Sequence, residues 1–137
     1  MKLGIIVSQL YGNESLFYFL RHKNVVGFYI NHSRPMINLN VPLFNISEIH
    51  GFNGDLMCTN WETFQAMRNA TTTHRKIVYV SELEWMKNQD FYENIQCNYP
   101  KEYEYISNGE YVQTWLKRSW GINSNIIREV ELEKLWT

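Results

Sequence analysis

Residues 75 to 85, "RKIVYVSELEW", bring two carboxylates to the end of an apolar run. A buried strand does not carry glutamates in its interior. Just past the strand's end, however, they stand where an open α/β sheet keeps its ligand site. Glu82 lies two residues beyond Val80 and shares its face, nearer the sheet axis than Glu84. That makes Glu82 the first candidate for acid–base work, and Glu84 reads as a solvated or capping residue. A carboxylate at that point needs a donor, and Ser8, Thr59 or a helix N-terminus would supply one. Unpaired and buried it would cost several kcal/mol. His32, in the polar end of another apolar run, is the second candidate base.

Four further polar turns follow apolar runs in the same way: Ser8-Gln9, Asn31-His32-Ser33-Arg34, Thr59-Asn60 and Ser107-Asn108. If those runs are parallel strands, all the turns meet on one edge of the sheet, beside helix N-termini whose N–H groups favour polar or anionic ligands. The expected binding set is Ser8, Gln9, Asn31, Arg34, Thr59, Asn60, Ser107 and Asn108, on an edge formed by residues 8–13, 31–34, 59–60, 81–84 and 107–110. The same residue types also serve as helix caps, so each has a purely structural use. Two basic pairs, Arg75-Lys76 and Lys117-Arg118, read as structural. The first opens a strand at the opposite edge, and the second falls late in a helix, where cations suit the dipole.

Several chemistries are missing from the sequence. The loop "SQLYGNES" has one glycine, so it is neither a dinucleotide fingerprint nor a phosphate-cradling loop ending in Lys-Ser/Thr. Ser8 stands in no Gly-x-Ser-x-Gly elbow. The four histidines are scattered and the two cysteines far apart, so neither a metal set nor a cofactor is expected.

The elements that must position these residues alternate along the chain. "KLGIIVSQ" reads as a strand and "ESLFYFLRHK", opened by Asn13, as a helix with Leu16, Phe19 and Leu20 on one side. "VVGFYI" is the next strand, completing a βαβ unit. Residues 35 to 54 read as a long loop with at most one short strand at "VPLFNI". "GDLMCT" is a strand, and Thr59 with Glu62 three positions on suggests a capping box for the helix "NWETFQAMRNA". Residues 75 to 80 and "EYEYIS" are strands, "DFYENIQ" a short helix, and "EYVQTWLKRSW" a helix burying Val112, Trp115 and Leu116, with Trp120 a further candidate, closed by Gly121. "SNIIREV" gives a last strand and "ELEKLW" a helical turn or tail. Strands alternating with helices, several of them apolar throughout, argue a single three-layer, Rossmann-like domain over residues 1–137. Its sheet is expected to be mostly parallel, of five or six strands. Residues 3–7, 26–30, 56–58 and 77–80 should be the most buried.

At 137 residues with 45% hydrophobic content, the chain can bury a sizeable core, and a disordered chain is ruled out. A net charge of −1 provides no global field for nucleic acid or an anionic membrane. There is no membrane-length apolar run and no signal peptide ahead of the first strand. Cys58, in a buried strand, and Cys97, at a helix end, suit thiols in a reducing cytoplasm. Asn-x-Ser/Thr triplets at Asn13, Asn31, Asn45 and Asn69 then carry no glycan. The wealth of Asn, Ile, Tyr and Lys fits A/T-rich codons, as in a phage, a virus or a low-GC bacterium.

The run "GDLMCTNWETFQAMRN…RKIVYVSELEW…YEYISNGEYVQTWLKRSWG…NIIREV" resembles the first Rossmann-like half of two-domain (B-type) glycosyltransferases, including ones found in phage genomes. The matching residues are Thr59, Lys76, Tyr79, Val80, Leu83, Glu84, Trp85, Ser107, Tyr111, Leu116 and Gly121. In such enzymes most of the nucleotide-sugar site lies in a second domain, and this sequence resembles the acceptor-side half alone. The resemblance therefore implies a glycosyltransferase-like domain in the cytoplasm, the host's if phage-encoded, that needs a second domain or subunit to transfer a sugar. Glu82 or His32 would deprotonate an acceptor hydroxyl, and Asn31, Arg34, Thr59, Asn60 and Ser107 would position sugar or phosphate groups. Nucleic acid would enter only as an acceptor. The expected partner is a protein chain or a second copy. The alternatives are a nucleotide-binding module without catalysis and a phage accessory or virion interaction protein, anchored by aromatics such as Tyr11, Trp85 or Trp136.

Overall fold

The computed structural model describes residues 2–20, 24–35, 39, 41–70, 75–81, 83 and 103–136. Their strands are β1 (Leu3–Gln9), β2 (Val25–Asn31), β3 (Leu43–Asn45), β4 (Asp55–Cys58), β5 (Lys76–Val80), β6 (Glu104–Ser107) and β7 (Asn125–Ile126). They form one sheet in the order β3-β2-β1-β4-β5-β6-β7, and every neighbouring pair is parallel. The helices are α1 (Glu14–Phe19), α2 (Trp61–Arg68) and α3 (Glu110–Trp120), with 3₁₀ segments at Ile46–Gly51 and Glu129–Trp136.

Side chains two apart on a strand share a face, and the core divides accordingly. Leu3, Ile5, Val7, Met57, Ile77 and Ile106 meet Leu16 and Phe17 of α1, Leu20 just after it and Leu132 of the C-terminal 3₁₀ segment. Ile6, Leu56, Cys58, Val78 and Val80 point the other way, against Trp61, Phe64 and Met67 of α2 and Val112 and Leu116 of α3. The topology explains the division. From β1 the chain steps outward through β2 to β3; from β4 it steps the opposite way to β7. Right-handed crossovers in opposite directions put their helices on opposite faces. The result is a three-layer, Rossmann-like α/β fold.

Two glycines permit the close layering. A Cβ on Gly4 would stand 2.6 Å from Leu56 Cδ2, and one on Gly27 would stand 2.8 Å from Phe17 Cε1. At both positions helix or neighbouring-strand side chains occupy the space that a methyl group would need.

The four expected central strands are in place. Tyr29 and Ile30 at the end of β2 are only partly buried, however, because the ends of β2 and β1 run out together at the pair Gln9 and Asn31. The sheet holds one strand more than the five or six expected, since the short run within "VPLFNI" pairs with β2 as β3. "SNIIREV" yields only a two-residue β7, and the chain then turns into the 3₁₀ segment that carries Leu132 into the core. Gly121 ends α3 as expected, with φ +68° and the N–H groups of Gly121 and Ile122 returning to Lys117 and Leu116. Cys58 is fully buried in β4. The expected helix at "DFYENIQ", Cys97 and Trp85 lie outside the described residues.

Candidate ligand edge at the carboxyl ends of the strands

The strand order reverses direction between β1 and β4. There the loop after β1 leaves toward one face and the loop after β4 toward the other, the arrangement that leaves a crevice at the carboxyl ends of an open α/β sheet. Its floor is a direct bond: Asn60 Nδ2 donates to Ser8 Oγ at 2.8 Å. Asn60 is also the cap of α2, its Oδ1 accepting from the Thr63 N–H at 2.9 Å. Thr63 Oγ1 in turn accepts from the N–H groups of Asn60 and Thr59, at 3.0 and 2.9 Å. The capping box therefore begins one residue later than the sequence suggests. The Thr59 hydroxyl turns instead toward the Ile6 carbonyl, to which it donates at 3.0 Å, tying β4 to β1.

The loop from β1 to α1 is held in a related way. Consecutive N–H groups of Leu10 and Tyr11 converge on Ser33 Oγ, at 2.9 and 3.0 Å. The next N–H, that of Gly12, donates to Glu14 Oε2 at 2.8 Å, and Gly12 takes φ +88° to make the turn. Asn13 Nδ2 donates back to the Gln9 carbonyl at 2.8 Å, so Asn13 opens α1 without a side-chain cap bond. Consecutive amides turned inward are the usual cradle for an anion. Here the chain's own oxygens fill it. Ser33 stood outside the expected binding set because nothing local singles it out; its partners lie 22 and 23 residues away.

The expected site residues fall into three groups. Ser8, Thr59 and Asn60 come together at the crevice, partly buried and bonded to one another or to the strands. Gln9, Asn31, His32 and Arg34 are exposed on the same edge, where His32 meets the Tyr29 ring edge-on at 5.5 Å. Ser107 and Asn108 sit farther along it. Ser107 is fully buried and bonded to Ser124, so it faces the fold rather than a ligand. Asn108 is exposed and accepts a hydrogen bond from the Tyr79 hydroxyl at 3.3 Å. Burial, reinforced by the Glu129 carboxylate, pushes the Tyr79 phenol up to about 12, so it stays a neutral donor. Ser15 Oγ donates to Glu129 Oε1 at 2.6 Å, linking α1 to the C-terminal 3₁₀ segment over this end of the sheet. Glu82 lies outside the described residues, between exposed Ser81 and buried Leu83.

The opposite edge has a different character. Arg75 Nη2 bonds both carboxylate oxygens of Glu104, at 2.6 and 2.8 Å, and its Nη1 stands 4.0 Å from Asp55 Oδ2. This clamps the starts of β4, β5 and β6, the structural use expected of Arg75.

Among the described residues, no three His, Cys, Asp or Glu side chains gather as a metal site would require. None of their helices is long and apolar enough to cross a membrane. No family model, curated protein or solved structure matches the chain.

Proposed function

We propose that the chain is a glycosyltransferase-like domain whose carboxyl-end crevice holds a neutral, hydroxyl-rich acceptor. The nucleotide sugar would be held largely by a second domain or subunit. The filled amide cradle carries this reading. In a nucleotide-binding Rossmann domain the turn after the first strand offers its N–H groups to a pyrophosphate. In this chain the amides of Leu10, Tyr11 and Gly12 are bonded to Ser33 and Glu14. A phosphate would have to displace both. Around the crevice stand amides and hydroxyls, the groups that pair with sugar hydroxyls. Glu82 and His32 are the proposed bases for the acceptor hydroxyl; Gln9, Asn31 and Arg34 orient it from the rim.

Calorimetric titration of the isolated chain with nucleotide sugars tests this. Binding weaker than about 0.1 mM is expected, because most donor contacts belong to the partner. Micromolar affinity for any nucleotide sugar would overturn the division of labour. In an assembled, active complex, Glu82→Gln should abolish transfer while leaving the fold intact; unchanged activity would remove Glu82 from the mechanism.

One observation favours a second reading, a protein-interaction role on the same scaffold. Tyr11, Tyr18 and Tyr111 are 53%, 52% and 70% exposed, and tyrosine is the residue type that anchors interfaces. Tyr11 and Tyr111 both lie where strands hand over to helices, in the β1–α1 loop and the first turn of α3. If Tyr11→Ser and Tyr111→Ser abolish assembly while sugar binding persists, the two roles share one edge.

A further inference from the structure

On the β7 side of the sheet is a second groove, lined by residues that take no part in the crevice. It lies between residues 113–118 of α3 and residues 122–124, which lead into the edge strand β7, and it has a volume of about 310 Å³. Gln113, Thr114, Lys117 and Arg118 form one wall. Their spacing places them together on a single helix face, since residues three and four apart are neighbours. Asn123 and Ser124 form the opposite wall, over buried Ile122.

Three features distinguish this groove from an ordinary solvated helix end. The first is charge: both charged residues lining it are cations, and no acid lines it among the described residues. The second is order. Gln113 Nε2 is held by the Ser124 carbonyl at 2.8 Å, and Lys117 Nζ by Asn123 Oδ1 at 2.6 Å, so the walls are fixed to each other. The third is the helix end itself. Its carbonyls would repel an anion, but the Gly121 and Ile122 N–H groups already bond those of Lys117 and Leu116.

We propose that this groove binds the phosphate group of a small phosphorylated molecule. Lys117 provides a point charge and Arg118 a planar fork, the pair of donors that phosphate recognition uses. The Thr114 hydroxyl stands on the same helix face as both. The volume exceeds what a bare phosphate fills and falls at the small end of ligand pockets, so the organic part is of the size of one sugar ring. The site is independent of the crevice and of what the crevice binds.

The test is a nuclear magnetic resonance titration of the intact chain with inorganic phosphate, glucose 6-phosphate and glucose, at constant ionic strength. Saturable shifts confined to residues 113–124 are expected for phosphate and glucose 6-phosphate, the latter tighter, and none for glucose. The double variant Lys117→Gln/Arg118→Gln, altered only at exposed positions, should weaken binding by about tenfold or more. Three outcomes would overturn the proposal: no saturable shift at millimolar phosphate, shifts spread evenly over the surface or matched by chloride, or binding that survives the double variant.

Discussion

The crevice at the β1/β4 reversal and the groove beside β7 are both lined with polar side chains, yet they spend them differently. At the centre of the crevice these donors are consumed by the fold: Asn60 Nδ2 by Ser8 and its N–H by Thr63 Oγ1, the Thr59 hydroxyl by the Ile6 carbonyl, and the amides of Leu10 and Tyr11 by Ser33. In the groove, Lys117 is tied to a neutral amide and keeps its charge unneutralised there, and Arg118 makes no ion pair among the described residues. A polar cluster therefore does not announce a site by its composition. What matters is how many of its hydrogen bonds are already made, because a bond already satisfied must be broken before a ligand can use it. By that measure the crevice is a fixed frame, and the groove has charge to offer.

The largest expected effect breaks the crevice frame. Asn60→Ala removes the cap of α2 and the bond to Ser8 together, and should cost about 1–2 kcal/mol in urea denaturation. The contrast is the double variant Lys117→Gln/Arg118→Gln, which should stay within about 0.5 kcal/mol of the parent. If the two variants were equally destabilised, the distinction between a consumed and an open polar cluster would fail.

A smaller effect sharpens the same contrast at Tyr79, whose buried hydroxyl serves Asn108 on the rim. The folded phenol titrates near 12, against 10 in a model phenol. Between those values the unfolded chain has lost the proton and the folded chain has kept it. The folded state therefore binds more protons, and stability falls as pH rises through that window. Tyr79→Phe should flatten this part of the stability–pH curve by about 1 kcal/mol, after allowing for partial solvation. An identical curve for parent and variant would mean that the hydroxyl is solvated in the folded state.

The frame was legible in the sequence where the signal is local. Apolar runs of strand length fixed the positions of β1, β4 and β5, and a helical stripe ending in Gly121 fixed α3 and its cap. The failures share one physical cause, a partner distant in sequence. Thr59 and Asn60 are equally good caps by type, and the Ile6 carbonyl, 53 residues away, decides between them. Ser107 looks like a rim residue until Ser124 draws it inward. Ser33 is marked only as one member of the polar turn 31–34; its role depends on the amides of Leu10 and Tyr11, 23 and 22 residues earlier in the chain. Lys117 and Arg118 have a sufficient local explanation in the helix dipole, and nothing local marks the groove they line, whose other wall is residues 122–124.

The smallest effect concerns the two basic pairs, which the sequence treats alike and the structure separates. Arg75 is paired with Glu104, but the two side chains are 38% and 36% exposed. Surface pairs of this kind are screened and contribute little, although the two-oxygen geometry places this one toward the upper end of the range. Arg75 also faces Asp55, whose side chain is 1% exposed, across 4.0 Å. Removing the cation also withdraws one positive charge, 4.0 Å away, from that buried carboxylate. Arg75→Ala should cost up to about 1 kcal/mol at low salt, and less of it should remain at 1 M salt, where the Debye length falls to about 3 Å. Arg118→Gln should show neither the cost nor the salt dependence in stability, only the loss of phosphate-induced shifts. A cost for Arg75→Ala that does not change with salt would place the effect in the packing of its stem over β4 and β6 rather than in its charge.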